Sequence, residues 1–288
     1  MVEYIGIDIG GTNIRVGAIN EKEELIFEYK DVTTSEDLYK KIKNLVLKVP
    51  NYQDAKAIGI GVQGSVDAKT KKIVTSKNVS VLKEINLVER LSKELNKQVF
   101  IENDARVAAL AEALKGRGKD KETVCYITIS TGLGGGVVIN NKIYSGYNNL
   151  GAYFSRMILD GNDVSDYLIS GTALIRMTKE KLGIDIKATS ELFELAKNEN
   201  KIAVEIADNF KHNLVVLLLN ISSTFNPDII ILGGGVMESK KYFLDEVKKA
   251  FGSKAHPLAK NTLIDVAEFK EPGIIGACLL AKINNKGT

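Results

Sequence analysis

Glu102-Asn103-Asp104 closes the apolar run QVFI and stands directly before the alanine-rich stretch ARVAALAEALKG. A carboxylate delivered by a strand end to a helix start can orient an alcohol and take its proton as a phosphoryl group arrives. The helix N-terminus behind it favours the ionised form. Asn and Asp are also what a helix N-cap asks for, so the position of Asp104 admits a purely structural reading as well. Asn103, next to it, can hold a neighbouring hydroxyl.

Three glycine turns supply the other half of such a chemistry. Asp8-Ile9-Gly10-Gly11-Thr12-Asn13 ends the first apolar run, Ser130-Thr131-Gly132-Leu133-Gly134-Gly135-Gly136 repeats the arrangement with hydroxyls added, and Leu232-Gly233-Gly234-Gly235 ends a third run. Glycine lets consecutive backbone N–H groups approach an anion with no side chain in the way. At the third turn the bare backbone suits a flat base and ribose. Asp8 would face the anion of the first turn, a repulsion that Mg²⁺ lying between them, reached through water, resolves. A plain β-turn with Asp at its mouth is the structural alternative. No GK[ST] follows any of the turns and no GxGxxG leads directly into a helix, so neither a P-loop nor a dinucleotide fingerprint is present. Together the turns point to a nucleotide gripped between two lobes.

The elements around them read as α/β. VEYIGIDIGGTNIRVGAINEKEELIFEY is strand, glycine turn, strand, polar turn, strand. The spacing predicts a helix from Ser35 to about Lys48, a buried strand over AKAIGIGVQG ending at Gly64, and a helix after Asp104 that stops at Gly116. VCYITISTGLGGGVVINNKIYSG then restates the opening pattern, which suggests two related halves. The remainder is mostly helical: SDYLISGTALIRMTKEKL, SELFELAKN, KIAVEIADNFKHNLVVLLLNISSTF, SKKYFLDEVKKAF and PGIIGACLLAKI, with the strand PDIIILGGGV among them. The expected division is residues 1–116 plus 272–288 as a small lobe and 117–271 as a larger one, hinged near Gly116–Gly118 and Pro272–Gly273.

Composition narrows the partners. With 39 basic and 36 acidic residues the net charge is +3, without a basic stripe, which argues against nucleic acid. Cys125 and Cys278 lie in apolar runs and read as buried thiols of a reducing compartment. Two Cys and two His, none clustered, draw no zinc site. The longest apolar stretch, LVVLLLNI, is too short for a bilayer and the start shows no signal peptide, so a cytoplasmic protein is expected.

In this order the motifs DIGGTNIRVG (8–17), IGIGVQGSVD (58–67), ENDARVAALAE (102–112), STGLGGGVVINNKIYSG (130–146), NPDIIILGGGV (226–236) and PGIIGACLLA (272–281) resemble the ROK family of the actin-like sugar-kinase superfamily, over nearly the whole chain. The resemblance implies a two-lobed, actin-like (ribonuclease H-like) ATPase fold with a nucleotide and sugar cleft between the lobes. It also implies an ATP- and Mg²⁺-dependent hexose 6-kinase with Asp104 as base, Asn78 and Asn103 as sugar contacts, Gly64 beside the sugar, and a homodimer.

One stretch departs from the family. Where relatives have Gly-Ala-Glu-x-Gly-His and then a cysteine-rich zinc loop, this chain has GAYFSR: Tyr153 replaces the Glu, Ser155 the Gly and Arg156 the His, and DGNDVSDYL stands in place of the zinc loop. The coherent loss favours a pocket rebuilt without zinc. A carboxylate suits two donating sugar hydroxyls, whereas an acetamido group offers a carbonyl acceptor and a methyl, which Tyr153 can donate to and pack on. The expected substrate is therefore an N-acetylated hexosamine, N-acetylmannosamine first, with glucose or another hexose as the alternative. A merely packed Tyr153 and a surface ion pair at Arg156 are the structural alternatives. Two other classes stand beside the enzyme: an ATP-binding sensor without catalysis, against which the retained Asp104 speaks, and a repressor, which would carry a DNA-binding helix-turn-helix for which DIGGT at residue 8 is expected to leave no room.

Overall fold

Tyr4–Ile9 is β1, Asn13–Ile19 is β2 and Leu25–Val32 is β3, two successive hairpins in which Ile9 faces Ile14 and Asp8 faces Arg15. The computed structural model describes residues 1–33, 37–76, 79–161 and 163–285; Asn78 and the expected helix start at Ser35 lie outside them. The chain divides into two compact units. The first is Met1–Lys115, Asn141–Ala152 and Glu271–Thr288, and the second is Gly116–Asn140 and Tyr153–Lys270. Segment 141–152 thus belongs with the first unit, whereas the sequence reading assigns 117–271 without a break.

In the first unit α1 (Leu38–Leu47) is followed by β4 (Ala57–Val62), α2 (Leu87–Leu95), β5 (Gln98–Asn103) and α3 (Asp104–Lys115). The sheet order is β3-β2-β1-β4-β5, with β4 parallel to both β1 and β5. Strands walled in on both faces read as continuous apolar runs, and every residue of β4 is buried. On one face Leu38, Ile42 and Leu45 of α1 and Leu87 and Leu91 of α2 join Ile5, Ile7, Ile58 and Ile60 in the core. Each such side chain contributes roughly 1.5–3 kcal/mol by leaving water.

The second unit begins with β6 (Thr123–Ile129) and β7 (Leu133–Ile139), antiparallel partners around the second glycine turn. Helices α4 (Ser165–Ile169), α5 (Gly171–Leu182), α6 (Thr189–Lys197) and α7 (Lys201–Phe225) precede β8 (Ile229–Gly233), α8 (Leu244–Lys254) and β9 (Leu263–Val266). The strands lie in the order β7-β6-β8-β9, β8 being parallel to β6 and to β9. Phe193, Phe210 and Phe243 pack their rings 5.0–5.7 Å apart in the helical layer. Around β6, as around β1, an antiparallel neighbour follows a glycine turn and a parallel neighbour returns on the other side.

Four elements differ from the sequence reading. The helix expected over Ser165–Leu182 breaks at Ser170, because the Gly171 and Thr172 N–H groups donate to the Ser130 and Thr131 carbonyls (2.7 and 3.2 Å) and not to the preceding helical turn. The helix expected over Ser239–Phe251 is a 3-10 segment, Gly235–Tyr242, and then α8, separated by Phe243 at φ −144°. Neither α2 nor β9 was foreseen.

The chain returns to the first unit as α9 (Pro272–Asn284), which lies on β1, β4 and α3. It can do so only because glycines face it. A Cβ on Gly59 would sit 1.9 Å from the Ala277 carbonyl oxygen, and one on Gly276 would sit 1.8 Å from that of Val107. Cys125 and Cys278 are both buried, and burial pushes both thiols up, out of the reactive range. Among the described residues no helix is long and apolar enough to cross a membrane.

Candidate active site

The carboxyl ends of β1, β4 and β5 bring Asp8, the Gly10–Thr12 turn, Gly64, Asn103 and Asp104 to one edge of the first unit's sheet, where open α/β sheets bind their ligands. The turn is fixed by Gly10 N–H donating to the Asn13 carbonyl (2.9 Å), Thr33 Oγ1 donating to the Gly10 carbonyl (2.9 Å) and Thr33 N–H donating to that of Thr12 (2.8 Å). Thr12 is exposed, and Gly10, Gly11 and Asn13 are partly so. Gly64 takes φ +120°, and a side chain there would strike the Thr75 carbonyl at 1.8 Å.

Asp104 is the first residue of α3, and Asn103 is its cap. Asn103 Oδ1 accepts the Arg106 N–H (3.2 Å), and its amide donates to the Gly64 carbonyl (3.0 Å) and to Asp104 Oδ1 (2.9 Å). The capping role that the sequence offered to Asp104 thus falls to its neighbour. Asp104 Oδ1 also accepts the Ala105 N–H (2.8 Å), so both donors hold the same oxygen and leave Oδ2 to carry a proton. The residue keeps a partly exposed edge, yet its carboxyl is largely withdrawn from water. Burial, with the Asp8 carboxylate adding repulsion, raises it to about 7 against the hydrogen bonds that would lower it.

Asp8 faces Arg15 across the hairpin, Nη1 to Oδ2 at 3.2 Å, and Arg15 Nη2 reaches Glu271 Oε1 at 2.7 Å. Burial still raises Asp8; the guanidinium offsets it in part, and Glu271 adds a smaller raising effect. Gly273 in the first turn of α9 passes so close that a Cβ there would lie 2.6 Å from Asp8 Cγ. A withdrawn carboxylate with one partner is eased by a further cation, and this fits Mg²⁺ held through phosphate oxygens and water better than a protein-built cage. Among the described residues no group of three or more His, Cys, Asp or Glu could hold a metal ion. Sequence reasoning missed Arg15, although counting the hairpin register places it opposite Asp8.

In the second unit Ser130, Thr131 and Gly132 are exposed at the end of β6, and Gly234 and Gly235 at the end of β8. Gly234 takes φ +90°, and a Cβ there would lie 2.4 Å from the Ile129 carbonyl oxygen. Gly233 is buried against the Tyr126 ring. Gly134 is partly exposed, whereas Leu133 is buried and its N–H donates to Asp166 Oδ1 of α4 (2.7 Å). The Leu133 N–H is therefore taken by a carboxylate and is not itself open to phosphate. Asp166 gave no signal in the sequence beyond its place at a helix start.

The stretch that departs from the family is held at Phe154. Its ring is fully buried against Gly135, where a Cβ would lie 2.4 Å away, and edge-on to Phe225 at 6.0 Å. Ser165 Oγ donates to the Phe154 carbonyl at 2.5 Å. On either side Tyr153, 42% exposed, and Arg156, also exposed, are turned out of the core. More than a third of Tyr153 is thus open to solvent, and Arg156 makes no ion pair among the described residues.

The ROK family profile matches residues 4–284. The chain belongs to the ROK family. It is 28% identical to a glucokinase of Thermotoga maritima, over 98% of each chain, and 30% identical to an N-acetyl-D-glucosamine kinase of Photobacterium profundum, over 81% of this chain and 84% of that one. A ROK family glucokinase from Streptomyces griseus, solved in complex with glucose and AMPPNP, superposes with a TM-score of 0.81 at 27% identity, covering 99% of this chain and all of that one. This ROK protein has the actin-like ATPase fold, and the glycine turns and Asp104 described above lie at its strand ends.

Proposed function

We propose that this protein transfers the γ-phosphoryl group of ATP to the 6-hydroxyl of an N-acetylated hexosamine, N-acetylmannosamine being the first candidate. The coarser statement rests on its family: it is an ATP-dependent sugar phosphotransferase. Asp104 carries the reading. A carboxyl group near pH 7, fixed through Oδ1 and open at Oδ2, suits a general base that takes the hydroxyl proton as phosphoryl transfer proceeds. The Gly10–Thr12 turn and the Thr131–Gly132 backbone are assigned to the phosphates, and Gly233–Gly235 to the base and ribose. Asp8 would hold Mg²⁺ through water, where the ion would neutralise phosphate charge. Asn103 has both amide hydrogens engaged, so any sugar hydroxyl it meets is received at Oδ1. Asn78 and Gly64 remain assigned to the sugar side.

The acetamido preference is supported by Tyr153, whose exposed ring and phenol can meet a methyl and a carbonyl, and by the unpaired Arg156 beside it. The test is ADP release from Mg-ATP over N-acetylmannosamine, N-acetylglucosamine, glucose, mannose and fructose. Selectivity for N-acetylmannosamine is expected, unchanged by a zinc-selective chelator. Preference for glucose, which relatives named glucokinase favour, would overturn the substrate and leave the kinase; silence on all five would favour a sensor.

A further inference from the structure

Arg106 lies inside α3 with 3% of its surface exposed, and a buried guanidinium must find partners. One is Glu102, at 3.2 Å on the preceding strand. The others belong to a distant stretch of chain: Nη1 donates to Asn149 Oδ1 (2.9 Å) and Nη2 to the Gly151 carbonyl (2.6 Å). Asn149 in turn donates to Glu102 Oε1 (3.2 Å) and to the Val66 carbonyl (3.1 Å), and the same Glu102 oxygen accepts the Asn103 N–H (2.7 Å). Segment 146–152 is thereby tied to the residues on both sides of Asp104.

Nothing apolar does that work. Tyr147 is 89% exposed and Leu150 51%, and Asn149 is the one buried side chain of the segment. The backbone resists its own shape, since Asn148, Asn149 and Ala152 all take positive φ, 54°, 60° and 56°. Left-handed residues persist where surrounding contacts over-determine them, and such strain gathers at functional sites. Ala152 leads directly into Tyr153.

We infer that Arg106 is a positioning residue for the acceptor sugar: its planar fork holds segment 146–152 in place beside Asn103 and Asp104. The inference rests on the kinase reading above. Lysine keeps the charge beside Glu102 but cannot make two parallel bonds, and glycine at 149 keeps the positive φ while removing the carboxamide. Arg106→Lys and Asn149→Gly are each to be compared with the wild type in sugar KM, ATP KM, melting temperature and amide hydrogen exchange over 146–152. The expected result is a sugar KM raised about tenfold or more, the scale of one or two lost hydrogen bonds. ATP KM should stay within about twofold, and exchange in the segment should quicken while α3 stays protected. Unchanged exchange in both variants, or sugar and ATP KM rising together as the melting temperature falls, would overturn it. A wild type inactive on every sugar would instead overturn the kinase reading, and the exchange comparison would still decide whether the clamp exists.

Discussion

In the first unit the glycine turn carries its charge on the strand before it: Asp8 sits one turn of the hairpin from Arg15, withdrawn from water and raised by burial despite that partner. In the second unit β6 and β7 bring no carboxylate to the turn, and a helix supplies one, Asp166 on the Leu133 N–H. The same hairpin is thus an acidic mouth in one place and an anion-binding backbone in the other. The difference shows where electrostatics must be corrected from outside. The first turn leaves a carboxylate withdrawn from water beside one guanidinium, while the second holds a carboxylate on a peptide N–H.

The largest effect that would test this contrast is at Asp104, whose charge the first unit disfavours. Asp104→Asn should lower turnover about 10²–10⁴-fold with sugar binding largely kept; near-normal turnover would remove it from the mechanism. The sign for stability is opposite. A carboxyl raised from 3.8 to about 7 binds its proton more tightly folded than unfolded, so its contribution is lost as pH climbs between those values. The Asn variant should therefore outlast the wild type at pH 8 by about 1–3 kcal/mol and lose that advantage below pH 4, measured as urea unfolding across pH.

Next comes Asp8→Asn, expected to cut kcat/KM for ATP by about 10–100-fold. Because the Asp8 carboxylate helps raise Asp104, the activity midpoint should also move to lower pH. A pH–rate profile that does not move would show that the two carboxylates are electrically independent. The smallest effect belongs to the second unit. Asp166→Ala should cost about 1–2 kcal/mol in urea unfolding and raise ATP KM a few-fold; tighter ATP binding with unchanged stability would make Asp166 a competitor of phosphate and erase the contrast.

Much of this was legible. Two-residue periodicity broken by paired glycines gave both hairpins, and Asp104 stood at the one place where a strand end meets an alanine-rich helix. What was not legible depends on contacts across long stretches of chain. Arg106 reads as one of several charges in an alanine-rich helix, and only the return of Asn149, 43 residues later, gives it a role. The break at Ser170 is only half legible: its Oγ caps α5 by accepting the Ala173 N–H, but the acceptors of the Gly171 and Thr172 N–H groups, Ser130 and Thr131, are forty residues away in sequence. The α2 helix does carry a local signal, Leu87, Leu91 and Leu95 at four-residue spacing.

The close seating of α9 on Gly59 and of Gly276 on Val107 has a consequence for the order of assembly during synthesis. The first unit's strands and α3 leave the ribosome early, but the helix that covers them is made only after the entire second unit. Until then Gly6, Gly59 and one face of α3 lie bare to solvent. The half of the protein that bears Asp104 is first begun and last completed, and its α9-facing surface stays uncovered for as long as translation takes to cross the other half.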